Sequence, residues 1–317
     1  MEMGSGSSYE ISYGKLRVPL YRVYARPLDT VAAIPESQFV GRANTLLALE
    51  VDLEVFGDAF LPAYTEGDNS HVVATDSMKN IILRQALAYQ GATTEGLLYH
   101  LGSYFLATYE DMGSLRLTAR ELRFDAARVP MDTGGGFGDS SLVFSREHGE
   151  HALATLSMGR AERGYAITEH CCGRVGMELF KVTGSAFTHF VRDANTTLPE
   201  RVDRPLFVAM DISWRYADTA DLLEPERGRY VPAEQMRDLV RVVFHEFVSE
   251  SIQHLVNEMG RRILDRFPQL AEVSFDAQNR TPDPAAVSEA DDKVKVYTAP
   301  FAAYGLIRLT LRRGAQA

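Results

Sequence analysis

The chain has 317 residues, 45% hydrophobic and 24% charged, with a formal net charge of −10. That length accommodates two domains of ordinary globular composition, and the acidic balance argues against a nucleic-acid partner, which needs clustered Lys and Arg, but not against a small anionic substrate. No apolar run reaches the roughly 18 residues that span a bilayer, no signal-peptide core is present, and the adjacent Cys171 and Cys172 can neither staple distant segments nor supply zinc spacing, which implies a soluble protein of a reducing, cytoplasmic compartment.

In chain order, Met1–Ser8 (MEMGSGSS) reads as a flexible leader, and strands are expected at about 10–25 and 43–57. The stretch Thr65–Asn80 then packs a turn, a short β run and a helix start. Asp68, Asn69 and Ser70 are turn formers, and Val72–Val73 are β-branched. Thr75, Asp76 and Ser77 form a cluster of N-cap residues ahead of the apolar stripe Met78, Ile81 and Ile82. Such a helix start directs N–H groups and the positive dipole end outward, where an anion can sit. An ordinary capped helix explains the same residues.

Helices follow at about 76–90 and 94–110, then strands near 113–124 and 141–147. Gly134–Gly138 has the glycines of a phosphate loop but neither a leading strand nor a Gly-Lys-Thr, so it reads as a mobile hairpin connection. Further strands are expected at 151–168, 174–183 and, after an irregular insertion, 204–216. Helices at 233–248 and 252–267 and strands at 271–278 and 305–313 complete the chain, with Pro282–Asp292 as a loop. The C-terminal Arg313–Ala317 lacks a peroxisomal S-K-L.

The second series repeats the first. With Gly102 set on Gly260, an offset of 260 − 102 = 158, Leu97-Leu98 falls on Leu255-Val256, Phe105-Leu106 on Ile263-Leu264 and Met78–Ile82 on Met236–Val240. Thr93 falls on Ser251, both good N-caps. Strands beside paired helices indicate an α+β protein, with an antiparallel sheet in each half and the helices on one face. The expected division is a leader over 1–9, a first domain over 10–148 and a second over 149–317.

Several ordered motifs carry a resemblance to one family. They are Tyr13-Gly14-Lys15, the Thr65–Asn80 string, Phe187–Asp193, Thr196–Pro199, Asp203-Arg204-Pro205, Ser251–Leu255 and Gln278-Asn279. Together they resemble the urate oxidases (uricases), over most of the chain. Ile34–Ser37 and Ala233–Asp238 resemble the bacterial branch in particular. The resemblance implies a tandem T-fold whose sheets, from several subunits, close into a barrel and so cover open sheet edges. It also implies a homotetramer with sites between subunits, urate and dioxygen as reactants, and no metal or other cofactor.

The resemblance assigns roles residue by residue. Lys15, otherwise an ordinary surface lysine, would pair with Thr75 as a proton relay acting through the threonine hydroxyl. Arg204, otherwise a bridge to Asp203 or another carboxylate, would clamp the purine with its planar fork. Gln253, otherwise an ordinary first-turn residue, would grip the opposite edge, and Phe187 would stack on the ring instead of filling a core. Asp76 and Ile252 would contribute mainly backbone N–H groups, and Asn279 would hold water or dioxygen above the ring. Many urate oxidases place a histidine third in the relay; this chain has Asn279-Arg280-Thr281, and Thr281 cannot act as a base near neutral pH. His71 and His254 read as structural.

Two other functions compete. One is a urate- or xanthine-binding T-fold protein that has lost turnover. The other is a T-fold enzyme acting on pterin or GTP, which would want Cys and His zinc ligands at spacings this chain lacks.

Overall fold

A computed structural model describes residues 8–131, 135–298 and 303–314. Met1–Ser7 of the leader, Gly134 and the last three residues, all given readings above, lie outside the described residues.

The chain forms two compact units. The first comprises the described residues up to Asp29, Arg42–Glu147 and Leu153–Cys171; the second comprises Thr30–Gly41, His148–Ala152 and the described residues from Cys172 onward. In the first, strands β1 (Tyr13–Val23), β2 (Leu46–Phe56), β3 (Ser114–Glu121) and β6 (His151–Arg160) pair antiparallel in that order. The short helix α1 (Leu61–Thr65) precedes α2 (Thr75–Ala88) and α3 (Thr94–Thr108). Along β2, Leu49, Val51, Leu53 and Val55 are at most 1% exposed, whereas the alternating Glu50, Asp52 and Glu54 face the arginines of β3. This period of two selects the face that the helices cover with Met78, Ile82, Leu101 and Phe105. The remaining strands, β4 (Phe124–Pro130) and β5 (Phe137–Arg146), form a separate hairpin.

In the second unit the latter half of β7 (Tyr165–Lys181) pairs with β8 (Leu206–Tyr216), followed by β9 (Leu270–Asn279) and β12 (Gly305–Arg312). After the short α4 (Thr219–Leu223) come α5 (Ala233–Glu246) and α6 (Ile252–Arg266). They bury Met236, Val240, Val243, Leu255, Met259 and Ile263. A two-stranded piece, β10 (Pro284–Val287) with β11 (Lys295–Tyr297), completes the unit.

The repeat extends to the element bounds. Helix α5 starts 233 − 75 = 158 residues after α2 and ends 246 − 88 = 158 after it. Helix α6 follows α3 by 252 − 94 = 158 and 266 − 108 = 158. Thr93 Oγ1 caps α3 by accepting from Gly96 N–H, and Ser251 Oγ caps α6 by accepting from His254 N–H. Their far ends are closed in parallel too. Arg160 donates to the carbonyls of Leu106 and Tyr109, and Arg313 donates to those of Leu264 and Phe267. Arg22 donates to Tyr89 O and Lys181 to Phe247 O, so cations meet the carbonyl ends of all four long helices.

Four expectations need correction. Helix α2 is capped by Ala74, with φ −56° and ψ 133°, so Thr75 is its first helical residue instead of its cap. The Asp76 carboxylate is engaged by Lys79 (2.5 Å) and Asn80 (3.1 Å) within the helix, which removes it from capping. The strand near 141–147 does not close the first sheet but pairs antiparallel with β4, from Phe124 opposite Arg146 to Pro130 opposite Phe137. The long strand at 151–168 is interrupted by a turn in which Ala161 N–H bonds Gly164 O and Gly164 takes φ 75°. Its first part, β6, pairs with β3, and its second part begins β7. Finally, the loop at Pro282–Asp292 contains a strand, because β11 supplies the pairing partner that its own sequence does not announce.

Candidate active site

The residues expected to clamp the purine converge within the second unit. After β7 the chain runs out and back. Phe187 and Arg201 exchange backbone hydrogen bonds (2.8 and 3.0 Å), and Arg204 N–H donates to Ser185 O (2.8 Å). Ala186 N–H donates to Ser249 O (2.8 Å), which ties this excursion to the chain entering α6. Two residues later Ser251 caps α6, leaving Ile252 and Gln253 in its first turn, where backbone N–H groups have no intrahelical partner. Asn279 ends β9 opposite Gly305, the first residue of β12. Phe187, Arg204, Ile252, Gln253 and Asn279, with Leu198 and Gly305–Ile307, line one cavity of about 190 Å³.

The electrostatics of that cavity centre on Arg204. Its guanidinium carbon lies 5.2 Å from the Phe187 ring centroid, and its Nε is buried without a hydrogen-bond partner. Burial lowers its pKa from the ordinary arginine value, with the neighbouring Arg201 acting in the same direction, and it stays a cation at any physiological pH. The bridge to Asp203 does not form. Asp203 accepts from Thr183 Oγ1 (2.6 Å) and Gly184 N–H (2.8 Å), and chiefly the Thr183 bond holds its carboxyl below the usual range. Among the described residues no carboxylate forms an ion pair with Arg204. A half-buried guanidinium whose enclosed Nε is an unused donor, beside an aromatic face, is a site for a planar acceptor.

The residues expected to form the relay both lie in the first unit. Val73 N–H donates to Tyr13 Oη (2.9 Å), while the Tyr13 ring packs edge-on against Phe60 (4.9 Å). Lys15 is two residues beyond Tyr13 on the same face of β1, and Thr75 is two residues beyond Val73. The Tyr13–Val73 bond ties the lysine strand to the segment that enters α2. The Lys15 charge contributes, after Lys79 and Asn80, to holding the Asp76 carboxyl below its usual range.

The whole chain can now be placed among known proteins. A model of the family described as uricase matches residues 170–308. A uricase of Haloferax volcanii is 47% identical over 304 residues, which covers 96% of this chain and 98% of that protein. The chain belongs to the uricase family. The crystal structure of urate oxidase from Bacillus sp. TB-90 superposes with a TM-score of 0.91 at 43% identity, over 96% of this chain and 100% of that one. A uricase from Bacillus fastidious gives 0.91 at 40% identity, over 96% and 94%. The bifunctional uric acid degradation protein of Bacillus subtilis is 45% identical over 303 residues, 96% of this chain but 61% of that protein. The α+β architecture with antiparallel sheets is accordingly that of the uricase tandem T-fold.

Within this uricase-family chain Thr281 stands apart from the clamp cavity. It lines an adjoining space of about 180 Å³ that shares Leu198, Arg204 and Asn279. Its Oγ1 accepts from Phe207 N–H (3.3 Å), and its own N–H donates to Asn279 Oδ1 (3.1 Å). That bond takes one of the two lone pairs of the Asn279 oxygen and leaves the other, with the amide NH₂, for a ligand. Arg280 is turned to Gln278 and Glu178. His71 is engaged by Asp111 (3.0 Å). Among the described residues no cluster of three or more His, Cys, Asp or Glu is placed to share a metal, and no helix is long and apolar enough to cross a membrane.

Sequence reasoning did not reach Asp203 as the residue that shapes the turn before Arg204, nor Leu306 and Ile307 as cavity walls. Asp203 was legible only as a charge beside a charge, and the β12 residues reach the cavity through strand pairing alone.

Proposed function

We propose that this chain oxidises urate with dioxygen and water, yielding 5-hydroxyisourate and hydrogen peroxide, in purine degradation. The observation that carries the proposal is the buried, unpaired Arg204 Nε beside Phe187 in a cavity also lined by Gln253 and Asn279. Arg204 and Gln253 grip opposite edges of the purine, and the N–H groups of Asp76 and Ile252, at two helix starts, face its anionic oxygens. Lys15 and Thr75 accept and return protons, and Asn279 holds the water or dioxygen. Urate is electron-rich enough, once deprotonated further, to reduce dioxygen without metal or flavin, so the residues bind, orient and move protons. Thr281 passes a proton through water at most.

The two T-fold repeats leave open sheet edges at β1 and β12, which favours a homotetramer; its compartment is the cytoplasm. In that assembly Lys15, Thr75 and Asp76 of one subunit face Phe187, Arg204 and Gln253 of a neighbour.

Metal-stripped protein given urate in air is expected to lose urate absorbance while releasing one peroxide per urate. Binding without peroxide would make the chain a urate-sequestering protein, and activity that needs added metal would end the cofactor-free reading. For the assembly, inactive Thr75→Ala and Arg204→Ala proteins co-refolded together should recover turnover. Hybrid tetramers that stay dead would place the site within one chain.

A further inference from the structure

Strand β1 contains one extra residue just after Lys15. Lys15 lies opposite Leu53 and Val18 lies opposite Val51, so three steps on β1 face two on β2. Facing residues of an antiparallel pair share a side, and Leu53 and Val51 are fully buried on the helix-covered face. Tyr13 and Lys15 therefore share that face with Val18 and Leu20 only because of the bulge. Without it, the period of two would turn one of the two pairs to the other side.

One side chain holds the bulge. Arg17 sits in the left-handed region at φ 58°, an uncommon conformation for a residue other than glycine. Its N–H, which the bulge removes from the ladder, donates to Asp52 Oδ1 (2.7 Å). Asp52 Oδ2 is in turn gripped by Arg120 Nη1 (2.7 Å), and Arg17 Nε reaches Glu50 (3.2 Å). The second repeat builds the same device. Its β7 shifts register between Arg174 and Met177, Gly176 takes φ 73°, and Gly176 N–H donates to Asp211 Oδ1 (2.7 Å). The correspondence is 174 − 15 = 159, 176 − 17 = 159 and 211 − 52 = 159. There the presented residue is Arg174, 1% exposed and ion-paired with Glu150.

We infer that Asp52 is a positioning residue for Lys15, acting through the Arg17 N–H to keep the lysine on the helix-facing side beside Thr75. The inference rests on the relay role proposed above. Displacing a reacting group by about 1 Å costs on the order of 10²-fold in rate. Asp52→Ala should thus lower kcat about 10- to 100-fold while 8-azaxanthine, a purine that cannot be oxidised, binds within about threefold of wild type. Asp52→Asn retains an oxygen acceptor for the Arg17 N–H and should keep kcat within about threefold. Asp211→Ala removes the same hydrogen bond under a residue outside the relay and should also keep kcat within about threefold. If Asp52→Ala does not fold, Arg17→Gly/Asp52→Ala replaces it, because glycine takes the left-handed conformation readily.

Three outcomes overturn the inference, and the first two are kcat held in the folded Ala variant and kcat lost equally in the Ala and Asn variants. A third is an equal loss in the Asp211 variant, which would reduce Asp52 to general sheet stability. Wild-type turnover is measured first. Its absence defeats the urate oxidase reading, whereas wild-type turnover that ignores Asp52 defeats this inference alone.

Discussion

Where the first repeat carries Lys15 and Thr75, the second carries Arg174 and, 233 − 75 = 158 residues on, Ala233. The reverse holds for the clamp. Phe187 corresponds to Leu28 and Arg204 to Thr45, at 187 − 28 = 159 and 204 − 45 = 159. The first pair is anchored by matching backbone bridges, Leu28 with Arg42 and Phe187 with Arg201. Gln253 corresponds to Glu95 and Asn279 to Glu121, at 253 − 95 = 158 and 279 − 121 = 158. Each repeat keeps one half of a shared plan and has filled in the other. In the first repeat Glu121 lies 3.9 Å from Arg42 and Glu95 is buried. In the second, neutral amides leave Arg204 free of any described ion pair. Two carboxylates would repel an anionic purine, whereas two amides only donate and accept.

The largest effect should come from separating Lys15 from its counterpart. Lys15→Met is expected to cut kcat on the order of 10²–10⁴-fold while hardly changing 8-azaxanthine affinity, as for a lost general base. Arg174→Met should act on stability instead. Removing one partner of a buried pair costs on the order of 3–5 kcal/mol, an upper bound here because Arg241 also holds Glu150 at 2.7 Å. Thermal melting beside kcat of the folded fraction separates the two. Equal behaviour of the two variants would dissolve the division of labour.

A reciprocal exchange sharpens the clamp half. Gln253→Glu copies the first repeat and should weaken 8-azaxanthine binding roughly 10- to 100-fold, about the worth of one or two hydrogen bonds to a charged ligand. Glu95→Gln copies the second repeat and should leave binding within about twofold, since its repeat lacks the arginine and the aromatic ring. Calorimetric titration checks both. A Glu95 variant that loses binding as Gln253→Glu does would mean the two positions are not opposed in role.

A smaller effect is expected from acid at Asp203. Its folded pKa lies below 3.8, so its contribution to stability is complete above about pH 3.8 and declines as pH falls through the lower folded value. Asp203→Asn should therefore melt earlier than wild type near neutrality, and the gap should close in acid below pH 3.8. A gap constant across that range would show that the charge is immaterial. Smallest of all, Thr281→Val should change kcat by no more than about threefold, as suits a hydroxyl engaged by Phe207 N–H outside the clamp cavity; a loss near that of Lys15→Met would restore it to the relay.

Local pattern determined a great deal. The 3.6-residue stripes and the Thr93 and Ser251 caps located four helices and their repeat to within a few residues, because helix hydrogen bonds and caps are made by near neighbours in the chain. Strands were likewise expected where β2, β3, β8 and β9 lie, and the ordered motifs named residues that line the cavity around Arg204. Pairing partners were another matter. That β6 pairs with β3, that β5 turns back on β4 and that β11 makes a strand of Pro284–Val287 depends on hydrogen bonds between distant segments, whose alternation is the same whichever neighbour they meet. The unpaired state of Arg204 belongs to the same class. Asp203 stands next to it in the chain, yet Thr183 and Gly184, some twenty residues earlier, claim that carboxylate. The bulge at Arg17 is also tertiary, since one more residue in a strand has no signature until Asp52 on the adjacent strand receives its N–H.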